Sequence, residues 1–168
     1  GGMNEQGIIH YMAGKDTSAT QAKMDAIFRQ AREAGVLTMG IGDGGNEIGM
    51  ANIADSIRAS IPFGEKCACG CGGGIAPATP VDILMTATIS NWGAYGLAAM
   101  LGAMTNMPEA LPDPEREQRI LKATISAGFH DAIYGEICGS VDGSAMPVQL
   151  AVAQLMEEAV LQHMKRNQ

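Results

Sequence analysis

A glycine-rich string between two apolar segments constrains the fold of this chain more than any other feature. Residues 38–50 read T-M-G-I-G-D-G-G-N-E-I-G-M, and residues 36–41 form a short apolar run with the character of a buried strand. Glycine permits sharp backbone bends and lets a ligand approach the main chain. We therefore predict a tight corner between this strand and a helix over residues 45–60, which Pro62 ends.

The rest of the chain alternates between apolar periodicities typical of helices and of strands. The predicted helices cover residues 17–34, 45–60, 91–105, 114–129 and 147–165. The predicted strands cover residues 36–41, 66–71, 81–89 and 133–141. This alternation is typical of the α/β class, with a mostly parallel sheet and helices on both faces. The length of 168 residues fits one domain, so we expect a single α/β domain over residues 1–168.

Charge and hydropathy exclude several classes of partner. The net charge is −7, with 18 acidic against 11 basic residues, whereas a surface for nucleic-acid phosphates requires a basic patch. No stretch is long and apolar enough to span a bilayer, and residues 1–6 lack the pattern of a secretion signal. We expect a cytoplasmic protein with reduced cysteines that binds neither nucleic acid nor membrane.

The glycines of the first corner also fit a nucleotide fingerprint. Gly40, Gly42 and Gly45 match G-x-G-x-x-G between a strand and a helix. Against this interpretation, Asp43 lies inside the turn, where its carboxylate would repel a pyrophosphate. The acid expected about twenty residues later to bind a ribose is represented only by Glu65, which comes before the next predicted strand and not at its end. We therefore disfavour a dinucleotide site.

A zwitterionic ligand suits the first corner better. The amides of Gly44, Gly45 and Asn46 are expected to open the helix, where unpaired N–H groups favour an anion. Asp43 and Glu47 stand four residues apart, on one face of that helix start, and would attract an ammonium group. The alternative is structural: Asp43 caps the helix and Glu47 offsets its dipole.

The second corner follows the strand predicted over residues 81–89. Ser90 or Asn91 is placed to cap the next helix, and Trp92 is placed to wall an apolar side of a pocket. Carboxyl ends of parallel strands share one edge of a sheet, so we expect both corners on the same rim. The alternative is an ordinary capped helix with a tryptophan in the core.

Three cysteines form the pattern C-x-C-x-C at Cys67, Cys69 and Cys71. On a strand, alternate residues share a face, so all three thiols would lie together. Zinc sites usually combine C-x₂₋₄-C pairs, and no second pair follows. We expect buried thiols, no metal ion and no cofactor, although His10 lies where it could reach a site.

With both corners in view, the chain resembles the D-glutamate cyclase family. The resemblance rests on I-G-D-G-G-N-E-I-G-M at residues 41–50, S-N-W-G-A-Y at 90–95, V-D-G at 141–143 and H-Y-M-A-G-K-D at 10–16. It implies an α/β fold and a hydro-lyase reaction, the conversion of D-glutamate to 5-oxo-D-proline and water. It also implies that the chain is the C-terminal part of a longer family domain. Ala51 departs from the glycine usual in the family, and residues 147–151 lack a histidine found in some members.

The resemblance and the two corners together assign roles to particular residues. Asp43 and Glu47 are the predicted catalytic acid and base, in either order. The predicted substrate-binding residues are Gly44, Gly45, Asn46, Ser90, Asn91 and Trp92. The expected substrate is a small acidic amino acid.

Two other classes of function remain open on the sequence alone. One is a non-catalytic binding or assembly domain for a small anionic metabolite. The other is a metal-dependent hydrolase with Asp43 and Glu47 as ligands. Helices rich in Ala, Gly and Met also favour a homo-oligomer. The alternative, which the family resemblance implies, is that a missing N-terminal segment completes the chain.

Overall fold

The computed structural model describes residues 1–166 and divides into two compact units, Gly1–Ser90 and a second unit that begins at Asn91. The helices are α1 (Asp25–Glu33), α2 (Ala54–Ser60), α3 (Ser90–Thr105), α4 (Pro114–Ser126) and α5 (Met146–Arg166), with short 3₁₀ turns at Ala51–Ile53 and Pro108–Ala110. The strands are β1 (Met39–Gly42), β2 (Ile83–Thr86), β3 (Ser140–Val141) and β4 (Ser144–Ala145).

A parallel strand pair organises the first unit. β1 and β2 pair in register from Met39 with Ile83 to Gly42 with Thr86. The residues just before the two strands are also joined by hydrogen bonds. Asp82 Oδ2 accepts from Thr38 N (2.8 Å) and from Thr38 Oγ1 (2.6 Å). These bonds hold the pKa of Asp82 below its ordinary value. Both strands therefore end side by side, at the edge where the two predicted corners begin.

The fold combines helices with a small parallel sheet, which agrees with the α/β class. The predicted sheet was wider than this: within residues 1–166, parallel strand pairing is confined to β1 and β2. The strand predicted over residues 66–71 is wrong, because Gly70 and Gly72 take positive φ angles of 81° and 84° and turn the chain. The strand predicted over residues 133–141 shortens to β3, since Gly135 also has a positive φ.

Two predicted helices begin much later than expected. Thr17 and Ser18 do not cap a helix; their hydroxyls bond the main chain of Ile9 instead, and α1 begins at Asp25. The helix predicted from residue 45 begins only at the 3₁₀ turn Ala51–Ile53. Gly45 and Gly49 explain the delay, because their φ angles of 103° and 99° are incompatible with a right-handed helix.

The second unit follows its sequence signals closely. α4 begins with Pro114 in its first turn, and the Asp113 side chain caps it by accepting from Glu115 N. The hairpin β3–β4 turns at Asp142–Gly143, where both residues have positive φ, as the Asp-Gly turn predicts. The buried apolar cluster of the second unit consists of Ala99, Leu111 and Val160, which belong to three different segments.

The first unit has a separate apolar cluster built on Met50, Ile57 and Ala76. The N-terminal segment is tied to this unit by Asp25, which is fully buried and accepts from Met3 N (3.2 Å) and Thr79 Oγ1 (2.5 Å). None of the helices found in residues 1–166 is long and apolar enough to cross a bilayer.

Candidate functional site

The loop after β1 is built around glycines that have no room for a side chain. A Cβ atom on Gly40 would lie 2.6 Å from the carbonyl oxygen of Ile48, and one on Gly42 would lie 2.5 Å from Met50 Sδ. The glycine-rich string therefore folds back over its own strand. We call residues 42–50 the corner loop.

Glu47 folds over the start of the corner loop. Its Oε1 accepts from Gly44 N (3.1 Å) and its Oε2 accepts from Gly45 N (2.9 Å). The sequence predicted that these amides would bind a ligand anion at a helix start. That geometry is wrong: the corner loop is not helical here, and the Glu47 carboxylate already occupies both amides.

Asp43 links the first corner to the start of α3. Its Oδ2 accepts from Ser90 N (2.6 Å) and from Ser90 Oγ (2.7 Å). Asp43 therefore fixes Ser90, the last residue of the first unit, and does not cap the helix that follows its own strand. The prediction that the two corners lie on one rim is met for these two residues, both in the first unit, because β1 and β2 end side by side.

The two carboxyl groups of the corner loop interact directly. Burial raises the pKa of Glu47, and the hydrogen bond with Asp43 and the nearby Asp43 charge raise it further. The amide of Gly44 opposes this effect and does not cancel it. Burial and the neighbouring Asp43 carboxyl group therefore both favour the protonated form of Glu47.

Asn46 binds the N-terminal segment through its side chain and its main chain. The side-chain Nδ2 donates to the main-chain carbonyl oxygen of His10 (2.6 Å), and the main-chain carbonyl oxygen of Asn46 accepts from Gly2 N (2.7 Å). The corner loop is therefore fastened to the N-terminal segment, where His10 and Asp16 form an antiparallel bridge.

A cleft of about 370 Å³ opens beside Glu47 in the first unit. Its walls combine the polar groups of Gln21 and Glu47 with the apolar side chains of Met24, Phe28 and Met39. A mostly apolar concave surface with few polar groups is typical of small-molecule sites.

The other two predicted binding residues belong to the second unit. Trp92 Nε1 donates to Oε1 of the fully buried Gln149 (2.7 Å), so the indole is fixed by a hydrogen bond inside this unit. The Asn91 side chain bonds Tyr95, whose hydroxyl donates to Glu117 Oε1 (2.5 Å). Burial and the Glu117 carboxylate raise the pKa of Tyr95. Their roles in substrate binding stay predictions.

A second polar cluster in the first unit includes His10, the residue that also binds Asn46 of the corner loop. The three cysteines converge in a turning loop and not on a strand, and a histidine from the N-terminal segment completes the group. We define the thiol–imidazole cluster as His10, Cys67, Cys69 and Cys71. All four possible ligand atoms lie within 4.8 Å of one another. Sequence spacing could not reveal this group, because His10 is separated from the cysteines by more than fifty residues.

Short contacts hold the thiol–imidazole cluster together. Cys67 Sγ lies 3.1 Å from Cys69 Sγ and 3.3 Å from Cys71 Sγ, and His10 Nε2 lies 3.3 Å from Cys69 Sγ. The hydrogen bond from Cys69 lowers the pKa of Cys67 to about 6, and the same bond raises the pKa of Cys69 to about 11. The contact between the two sulfurs therefore favours the thiolate form of Cys67 and the thiol form of Cys69.

The fold and the site define a class: a mixed helix–strand protein with a glycine-rich corner, a carboxyl pair and an adjoining small cleft. Residues 1–157 match the family described as D-glutamate cyclase-like, C-terminal, and the chain belongs to that family. The human protein named D-glutamate cyclase, mitochondrial, is 25% identical over 160 residues, which cover 82% of this chain and 24% of the relative. The chain thus spans about a quarter of that relative's length. Because the relative is named as mitochondrial, the cytoplasmic location expected from the sequence stays a prediction.

Proposed function

We propose that this chain takes part in the cyclisation of D-glutamate to 5-oxo-D-proline and water, as the name of its human relative suggests. The observation that carries the proposal is the Asp43–Glu47 carboxyl pair, in which Glu47 holds a proton above the ordinary glutamate range. Two carboxyl groups of unequal proton affinity suit a reaction that removes protons from one atom and delivers them to another.

The proposed reaction joins the two ends of one substrate. The amino nitrogen attacks the γ-carboxyl carbon, the new C–N bond forms, and one C–O bond breaks. Two protons leave the ammonium group and both end on the departing oxygen, which leaves as water. Because the ends belong to one molecule, holding them together accounts for much of the rate.

The contacts favour different roles for the two carboxyl groups. Asp43 accepts two short hydrogen bonds from Ser90, which fix the position of its carboxylate, so we assign it to the substrate ammonium. Glu47, with its raised pKa, gives a proton to the departing oxygen and takes one from the nitrogen, and it does so twice in each turnover. The cleft beside Glu47 is the proposed place of a small acidic amino acid.

The test measures 5-oxoproline formed from D-glutamate, with separation of the two enantiomers and L-glutamate as the stereochemical control. The variants are Glu47→Gln and Asp43→Asn, and Asp55→Asn serves as a matched control on the exposed face of α2. We expect both corner variants to lower the rate roughly a hundredfold or more, and the control to retain wild-type turnover. Equal rates in all four proteins would remove the carboxyl pair from the mechanism.

The length of the chain favours a second candidate, a binding or assembly domain that completes a site together with other parts of a longer protein. The chain corresponds to 24% of its human relative, so other segments of such a protein are available to supply catalytic groups. Calorimetric binding of D-glutamate without turnover would favour this candidate. Turnover by the chain alone would exclude it.

A further inference from the structure

We propose that the thiol–imidazole cluster binds one zinc-class divalent ion through three thiolates and one imidazole. Three sulfurs and one nitrogen are a donor set typical of tetrahedral structural zinc sites. This inference is independent of the proposed cyclase activity, because it concerns a different group of side chains.

The distances within the cluster suit a single ion. At Zn–S bonds of about 2.3 Å, tetrahedral coordination separates the sulfurs by about 3.8 Å. The sulfur pairs that involve Cys67 lie 3.1 and 3.3 Å apart, and His10 Nε2 lies 3.3 and 3.9 Å from the sulfurs of Cys69 and Cys71. An increase of about 0.5–0.7 Å in these two sulfur–sulfur distances therefore gives the separation of a tetrahedral site.

The loop that carries the thiols is shaped to converge them. Gly70, between Cys69 and Cys71, and Gly72, directly after Cys71, take positive φ angles and turn the chain around the last two thiols. Cys67 N closes the loop by donating to Gly73 O (2.8 Å), and Ala68 N donates to Gly14 O (3.0 Å). This geometry explains why the unusual C-x-C-x-C spacing still delivers three ligands to one point.

The histidine supports the proposal independently of the thiols. The His10 side chain is only 2% exposed, and Nε2 has sulfur atoms as its hydrogen-bond neighbours. Within residues 1–166, no hydrogen-bond partner reaches His10 Nδ1. Nε2 meets only weakly bonding thiols, so its burial is costly, and a metal–nitrogen bond at Nε2 would compensate for the desolvation of that atom. Nearby, Asn4 Nδ2 lies 3.5 Å from Cys71 Sγ and is placed to donate to a thiolate.

The ion would fasten the N-terminal segment to the cysteine loop. His10 is also the residue whose carbonyl oxygen accepts from Asn46 of the corner loop. Metal binding would therefore stabilise the position of the corner loop from outside, as a structural clamp. The ion takes no part in proton transfer in this proposal.

The test begins with the purified full chain, prepared under reducing conditions without chelator. We measure metal content by mass spectrometry in wild type, Cys69→Ser and His10→Gln, with Cys138→Ser as the matched control. Cys69 is exposed, so its substitution spares the core, and Cys138 lies in the second unit. We expect about one zinc ion per chain in wild type and control. In both cluster variants we expect the zinc content to fall by roughly tenfold or more.

Cobalt provides a second readout that does not depend on activity. Replacement of zinc by Co²⁺ should produce thiolate-to-cobalt charge-transfer absorption and the visible bands of a tetrahedral ion, which Cys69→Ser weakens and Cys138→Ser preserves. Far-ultraviolet circular dichroism checks that each variant is folded. The proposal is overturned if the reduced wild type binds neither ion, if Cys69→Ser binds as tightly as the control, or if the thiols are isolated as a disulfide.

Discussion

At the scale of single residues, Glu47 is expected to give the protein a pH-dependent stability. Its pKa lies above the ordinary value of 4.5, so the folded chain binds this proton more tightly than the unfolded chain does. The free energy of unfolding should therefore fall as the pH rises from 4.5 through the folded pKa. Urea unfolding of wild type and Glu47→Gln across this window measures the effect as a pH-dependent difference between the two curves.

A related variant checks the physical cause of that slope. Part of the raised pKa of Glu47 comes from the Asp43 charge, which Asp43→Asn removes. In the Asp43→Asn background, the effect of Glu47→Gln on the free energy of unfolding should therefore depend less on pH than it does in wild type. A wild-type-minus-Glu47→Gln difference that stays constant with pH would contradict the prediction. The carboxyl pair would then be an ordinary structural contact.

The sequence predicted the partners in this pair and missed their geometry. Asp43 and Glu47 were placed together by helical spacing, yet the corner loop brings them together without a helix. Positive φ at Gly45 and Gly49 decides this, and the sequence shows only that glycine permits such angles. For His10 the sequence did not predict even the partners, because nothing near it in the chain indicates that it contacts the loop of Cys67, Cys69 and Cys71.

At the scale of elements, two glycines of α3 should respond to alanine in opposite ways. A Cβ on Gly96 finds only Met156 at 3.7 Å or more, so Gly96→Ala should stabilise the helix by roughly 0.5–1 kcal/mol. A Cβ on Gly102 would lie 2.7 Å from Leu111 Cδ2 and 3.1 Å from Met107 O, so Gly102→Ala should destabilise by roughly 1–3 kcal/mol. Urea midpoints of the two variants measure the contrast, and a shift of the same sign in both would contradict it.

Element prediction succeeded where a strong local signal meets ordinary backbone geometry. α3, α4 and α5 match the predicted helices within a few residues, and β1 and β2 lie inside or beside the predicted apolar runs. Two of the failures, the helix start at residue 17 and the strand over residues 66–71, fall in residues 1–24 and 63–80, which are loops held by side-chain and main-chain bonds between distant residues. Such bonds leave no periodic pattern, so pattern analysis extends neighbouring elements into them.

At the scale of the whole molecule, the family membership was predictable and the organisation was less so. The resemblance to the D-glutamate cyclase family rested on motifs spread from residue 10 to residue 143, and the family match covers residues 1–157. Two compact units were not indicated, because no linker composition separates them: the boundary falls at the first turn of α3. The predicted homo-oligomer, or completion by an N-terminal segment, stays a prediction.

Each unit has one buried aspartate that organises its loops, and these two residues should contribute independently to stability. Asp25 binds Met3 N and Thr79 Oγ1 in the first unit. In the second unit burial raises the pKa of Asp131, but its hydrogen bonds, first among them that from Ser140, lower it below the ordinary value. Asp25→Asn and Asp131→Asn should each cost about 1–3 kcal/mol, and their double variant should equal the sum within about 0.5 kcal/mol. As the control, Asp25→Asn with Thr79→Val should deviate from additivity, because those side chains share a bond. Coupling between the two aspartates as large as in the control would show that the units do not contribute separately.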